Sequence, residues 1–159
     1  MARFAVAALS AAVLAATVVV APATAATTTH QVWGFEVAAT SSTGTFVGLL
    51  VNELGTWQTT IAHDPLNKAP GGSTAITGGS FTVSPLFAAS STGTITGGQL
   101  VASAPVGDGF CTQQFVGTGT LTSPNGPGSF QATLTHYGFL SQGVCNAFFA
   151  TVEGSVTLP

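Results

Sequence analysis

SFQATLTHYGFL, residues 129–140, and NAFFATVEGSVTL, residues 146–158, alternate apolar and polar side chains nearly to their last residues. In the first stretch Phe130, Ala132, Leu134, His136 and Leu140 share one side, with Gln131, Thr133, Thr135 and Tyr137 on the other. In the second, Phe148, Ala150, Val152, Val156 and Leu158 lie opposite Thr151, Glu153, Ser155 and Thr157. A period of two marks a half-buried strand, because successive side chains point to opposite faces. Joined across Ser141-Gln142-Gly143, the two stretches read as an antiparallel hairpin with one core face and one solvated face.

The same reading extends toward the N-terminus. Candidate strands are Gln31–Ala38, Thr43–Val51, Thr56–His63, Ser73–Val83, Gly93–Ala102 and Phe110–Thr122. Turn chemistry separates them: Ser41-Ser42, Asp64-Pro65, Pro70-Gly71-Gly72, Ser90-Ser91, Asp108-Gly109 and Pro124-Asn125-Gly126-Pro127-Gly128. No helical period is sustained after residue 25. Trp57, Thr59, Ile61 and His63 share one side of their strand. The first strand leaves its faces open, since Trp33, Phe35 and Val37 oppose Val32, Gly34 and Glu36. Ile76-Thr77-Gly78-Gly79 recurs as Ile95-Thr96-Gly97-Gly98, and a Gly pair inside a long strand marks a bulge or bend. About eight short antiparallel strands fit a closed barrel or a two-layer β-sandwich. Long strands with internal glycines, and a last strand patterned to its end, favour the barrel. The expected fold is all-β, with one disulfide.

Residues 1–25 read as an export signal: Arg3 in a short n-region, an apolar run from Phe4 to Val20, then Ala23-Thr24-Ala25 as a small-x-small cleavage site. A cut there leaves residues 26–159 as a single β domain. That domain carries Glu36, Glu53, Asp64, Asp108 and Glu153 against one lysine, Lys68. Nucleic acid and anionic membrane are held chiefly by Lys and Arg, so neither is an expected partner, and no membrane association is expected after signal cleavage. Phe, Val, Leu and Ile recur throughout, which supports a packed core, and abundant Thr supplies a polar outer face without charge. Cys111 and Cys145 are the only cysteines. In a secreted, extracellular chain an even pair favours a disulfide, worth roughly 4 kcal/mol for a loop of this length.

Candidate chemistry is sparse. His136 shares an apolar face with Phe130 and Leu134, so in a barrel it points into the lumen. Glu36 has no settled face, and a carboxylate in an apolar lumen would have a raised pKa. His63 ends a strand beside Asp64, whose side chain points to the opposite face. His30 stands near the new N-terminus and is expected to be mobile. His136, His63 and Glu36 are therefore weak catalytic candidates. Trp33, Phe35, Trp57 and His136 are the candidate ligand-binding residues, with Phe81 as a further aromatic. No metal set and no cofactor motif is present: the histidines are scattered, and no G-x-S-x-G elbow occurs.

Cys111, Gly117-Thr118-Gly119, Leu134-Thr135-His136-Tyr137, Cys145 and Thr151-Val152-Glu153-Gly154-Ser155-Val156 together resemble the small secreted β-proteins of unknown function found in actinobacteria. That resemblance covers about a third of the chain and implies a secreted β fold without an assigned activity. Leu54-Gly55-Thr56-Trp57 is similar to the Gly-x-Trp strand openings of the streptavidin barrel, but that family's other tryptophans and polar biotin ligands have no counterpart here. The expected function is an exported non-catalytic β-barrel that binds a small apolar ligand or a surface partner. The alternatives are a barrel-type cyclase or isomerase with a His-containing lumen, and a structural cell-surface protein.

Overall fold

The computed structural model describes residues 26–159, so the expected export signal of residues 1–25 lies outside the described residues. Eight strands carry most of that length: β1 (Thr28–Ala39), β2 (Thr43–Leu50), β3 (Gly55–His63), β4 (Ser73–Pro85), β5 (Ser91–Ala102), β6 (Phe110–Ser123), β7 (Gly126–Ser141) and β8 (Val144–Leu158). Each pairs antiparallel with the next. β1 then pairs with β8, from Thr28 opposite Leu158 to Phe35 opposite Thr151, and closes the barrel. The sandwich alternative is thereby excluded. Most connections are short, the longest being residues 64–72 between β3 and β4. The β7–β8 turn places Gln142 at φ 53° and Gly143 at φ 77°, the two positive values that a two-residue hairpin matched to strand twist requires.

Alternation puts the apolar side chains inside. Val32, Phe46, Trp57, Ile76, Phe81, Ile95, Phe115, Leu134 and Val152 form one buried cluster. On β1 the open question of faces is settled in favour of Val32, Gly34 and Glu36 inward. Trp33 and Phe35 point outward, 46% and 39% exposed. The reason is Trp57. Gly34, Gly48 and Trp57 lie in one row across β1, β2 and β3. A Cβ on Gly34 or Gly48 would stand 2.9 or 2.7 Å from the indole. The two glycines leave room for Trp57 in the lumen, and its Nε1 donates to the Trp33 carbonyl at 3.1 Å.

The repeated Ile-Thr-Gly-Gly segments meet each other. The β4–β5 register sets Ile76 opposite Gly98 and Gly79 opposite Ile95. On its other edge each copy carries a bulge. β3–β4 pairing slips so that Thr77 is the extra residue, and β5–β6 pairing slips so that Thr96 is. Bulges bend the bulged strand and tighten its twist, which a closed barrel needs. Glycine is required at the crossing. Gly79 has φ +149° and Gly98 φ +155°, and a Cβ on either would lie 2.2 Å from a neighbouring carbonyl, Thr60 or Thr118.

A third slip lies between β7 and β8, where Tyr137 faces Phe149 and Gly138 faces Ala147, leaving Phe148 extra. Strict alternation would set Phe148 on the Ala150 side. The bulge turns it outward instead: it is 61% exposed and packs on Phe110 and Phe139 at centroid distances of 5.9 and 5.4 Å. Close by, the buried disulfide Cys111–Cys145 links β6 to β8 across β7, with Cα atoms 5.9 Å apart. Strands two places apart in a flat sheet are separated by about 10 Å. The sheet is therefore folded sharply about β7 at Gly138, which pairs with Cys111 on one side and Ala147 on the other.

Two outcomes follow from this geometry. Gly79→Ala should lower stability by about 2 kcal/mol or more, because it adds both a forbidden φ and a backbone clash. Its neighbour Gly78, whose Cβ would meet nothing closer than 3.7 Å, should accept Ala with a change of about 0.5 kcal/mol or less; paired urea titrations read both. The double variant Cys111→Ala/Cys145→Ala should lose about 4 kcal/mol in the same assay, given a separation of 34 residues. A loss below about 1 kcal/mol would mean that the reduced chain is already held by the sheet.

Candidate functional site

The two ends of the barrel differ. At one end Leu50, Leu158 and His30 are buried, and His30 Nδ1 is paired with the Glu53 carboxylate of the β2–β3 loop. His30 is thus not a mobile leader residue but part of a closure. At the other end lie the β1–β2 turn and the loop of residues 64–72. From there a cavity of about 580 Å³ runs into the lumen, reached past Ala38–Ser41, His63 and Leu66. Its walls are largely aromatic and aliphatic: Phe46, Trp57, Phe81, Phe115, Phe130 and Leu134 all line it.

The ionisable groups on this cavity are few, and they include all three weak catalytic candidates. Glu36, His63 and His136 line it, together with Lys68. Glu36 reaches inward beside Phe46, its register partner. Val37, the next residue, is the extra residue of the β1 bulge. Burial raises the Glu36 pKa, because desolvation disfavours the carboxylate. The β1–β8 register ends with Phe35 opposite Thr151, one residue short of Glu36, while Ala150 is the partner of His136 on β7. Glu36 and His136 share the wall of one cavity, and the Glu36 carboxylate lies beside Gly44 of β2.

His136 is 7% exposed and packs against Phe115, with ring centroids 4.9 Å apart and planes inclined by 53°. Burial first, and the charge of Lys68 second, push its pKa down to about 4. At neutral pH it is an uncharged imidazole. Its Nδ1 is fully buried without a hydrogen-bond partner, and so is Oε1 of Gln113, the residue paired with it on β6. The Gln113 amide is fixed: its Nε2 donates to the carbonyls of Lys68 at 2.7 Å and Ser103 at 2.9 Å. Those bonds tie loop 64–72 and the β5–β6 connection to the wall. At the mouth, His63 Nδ1 donates to the Asp64 carbonyl at 2.6 Å.

Trp57 and His136 are thus brought together in the lumen, while Trp33 and Phe35 stand on the outside and do not reach it. Phe81 joins the lumen set. Gln113 is not among the candidates read from sequence, and Lys68 enters there only as the lone positive charge, not as a group on the lumen. Gln113 was reachable, since Cys111, Gln113 and Phe115 share a strand face and two of them are core types. Lys68 sits on a loop, where no periodicity reports direction. Among the described residues, no three His, Cys, Asp or Glu side chains gather to hold a metal ion. No family model matches the chain, nor do any of the curated proteins or solved structures compared with it.

The buried imidazole makes stability depend on pH. The His136 pKa in the fold, about 4, lies below its ordinary value of 6.5, so the unfolded chain takes up the proton first as pH falls. Stability contributed by the neutral ring is complete above about 6.5 and is lost between 6.5 and 4, by about 3 kcal/mol in all. Glu36 acts in the opposite sense, its raised pKa favouring the fold at the acid side. His136→Leu should therefore flatten the fall in stability between pH 7 and pH 4. Urea midpoints across that range check it, and parallel curves for the two proteins would show that His136 is not neutral and buried in the fold.

Proposed function

We propose that the barrel is a secreted binding protein that takes a small, mainly apolar molecule into its lumen. The observation that carries this reading is the cavity itself. It is open at one end, closed at the other, and walled by Phe46, Trp57, Phe81, Phe115 and Phe130. A volume of about 580 Å³ falls within the range of small-molecule sites. Burying the apolar surface of a ligand there contributes on the order of 25 cal/mol per Å², with no charge on the ligand required. Secretion is supported by the buried disulfide, which belongs to oxidising compartments, and by the export pattern of residues 1–25. The single lysine among residues 26–159 argues against nucleic acid and anionic membrane as partners.

A second reading, a cyclase or isomerase, is favoured by one observation: Glu36 and His136, a carboxyl and a neutral imidazole, line the same cavity. Both readings begin with a ligand in the lumen, and one experiment separates them from a filled or purely structural barrel. The chain has two tryptophans, so Trp33→Phe leaves Trp57 as the sole reporter, inside the cavity. Titration of that variant with a panel of hydrophobic ligands should change Trp57 emission with micromolar-range saturation for at least one ligand class. A flat response to every ligand would leave the barrel a structural or surface protein. Recovery of a bound ligand in altered form would establish the enzyme.

A further inference from the structure

Apart from histidine, the described residues carry one cationic side chain, Lys68, and the fold sets it on the lumen. Lys68 lies midway along loop 64–72, and the backbone around it is fixed. The Asn67 N–H donates to Oγ1 of the buried Thr74 at 2.8 Å, and the Ala69 N–H donates to Asn67 Oδ1 at 3.2 Å. The Lys68 carbonyl accepts from Nε2 of Gln113, a side chain 1% exposed. Gly71 and Gly72 then pair with Ala102 at 2.8 and 2.9 Å. Lys68 is half-buried and lines the cavity. Its charge acts on His136 in the depth, where it opposes protonation. Solvent screens an outward-facing charge from a buried ring far more than one that shares its cavity.

That ammonium has no counter-ion within the protein. Among the described residues the one ion pair is His30 with Glu53, at the closed end. Glu36 is the one acid on the cavity, and its carboxylate lies beside Gly44 of β2. Burial alone shifts the Glu36 pKa, and upward, whereas a lysine in contact would lower it. We infer that the lumen takes an amphiphile with a single anionic group, its apolar body among Phe46, Trp57, Phe115 and Phe130 and its head held by Lys68. The inference rests on the lumen-binding reading and names its ligand class. An anion supplies what desolvation of an unpaired cation lacks. One lysine matches one negative charge, and Glu36 opposes a second. His136 is uncharged at neutral pH, and His63 is bonded through Nδ1 to the Asp64 carbonyl. Wall hydroxyls such as Thr43 and Ser155 donate and accept, so they serve neutral and charged heads alike and do not choose between them.

Three probes of one shape and different charge test this at pH 7, read by Trp57 emission in the Trp33→Phe variant: decanoate, decanamide and decylammonium. Decanoate should bind about tenfold more tightly than decanamide, the effect of one charge-assisted hydrogen bond, and decylammonium should bind most weakly. Adding Lys68→Gln should bring the ratio of decanoate to decanamide affinity to about one, and Lys68→Arg should keep it near ten. The hydrogen bonds that place Lys68 in its loop run through its carbonyl and its neighbours, so neither replacement removes them. Without ligand, a proton NMR titration should give His136 a higher pKa in Lys68→Gln than with Lys68 present. Equal values would put the ammonium outside the lumen and overturn the inference. Equal binding of decanoate and decanamide overturns the ligand class and leaves lumen binding intact. Tightest binding of decylammonium overturns it in favour of a cation held by Glu36. Binding of none of the three overturns it as well, and the hydrophobic panel then decides whether lumen binding stands.

Discussion

Pairing of Thr28–Phe35 with Thr151–Leu158 removes the last open edge of the sheet. Edge strands invite pairing with other chains, and only full closure abolishes them. A chain with this little charge has few gatekeeping lysines to blunt an edge, so closure does the work that charge does elsewhere. Closure in turn demands curvature, and the slips at Val37, Thr77, Thr96 and Phe148 supply it on four strands. Two of these sit beside the lumen groups of interest: Val37 next to Glu36, and Phe148 two residues from Ala150. The bends that close the barrel also aim its polar side chains.

The inside of a barrel this size is either filled by its own side chains or left open for one small ligand. Here the two halves of the lumen take different courses. Toward the chain termini, Leu50, Leu158 and the His30–Glu53 pair complete the packing. Toward the disulfide, small residues hold the wall apart. Ala150 lies opposite His136, and Gly138 is the pivot about which β6 and β8 approach. Replacing Ala150 with a larger side chain would narrow the cavity that Glu36, His136 and Ala150 all line. Openness at this end is thus a property of particular small residues and not of loose packing in general.

Much of this was legible in sequence because its signals are local. Strand positions follow from period two and turn chemistry, and the inward placement of His136 follows from Phe130 and Leu134 beside it. The bridge between Cys111 and Cys145 follows from an even count in a chain whose first residues read as an export signal. Three features were not legible, each for a physical reason. Alternation cannot see a bulge, so Phe148 was set inward when one extra residue turns it out. The first strand alternates two apolar sets, and the choice between them is made by Trp57 two strands away. His30 looked like a loose terminus because its partner, Glu53, comes from a loop on another hairpin. Strand pairing brings such groups together, and pairing partners are not written in a single strand's pattern.

The scarcity of charge acquires a different meaning once the lumen is seen. Lys68 is not a solvated surface cation at large: its backbone carbonyl is held by Gln113, and its side chain lines the cavity, where its charge opposes protonation of His136. Gln113 therefore holds the loop at the mouth from a strand position that pairs with His136. Moving loop 64–72 away from the mouth would break the bond from Gln113 to Lys68 and free the amide to reorient. The charge of Lys68, which opposes protonation of His136, would then act from farther away. The position of that loop, and of the lone lysine on it, is held in part by one buried amide.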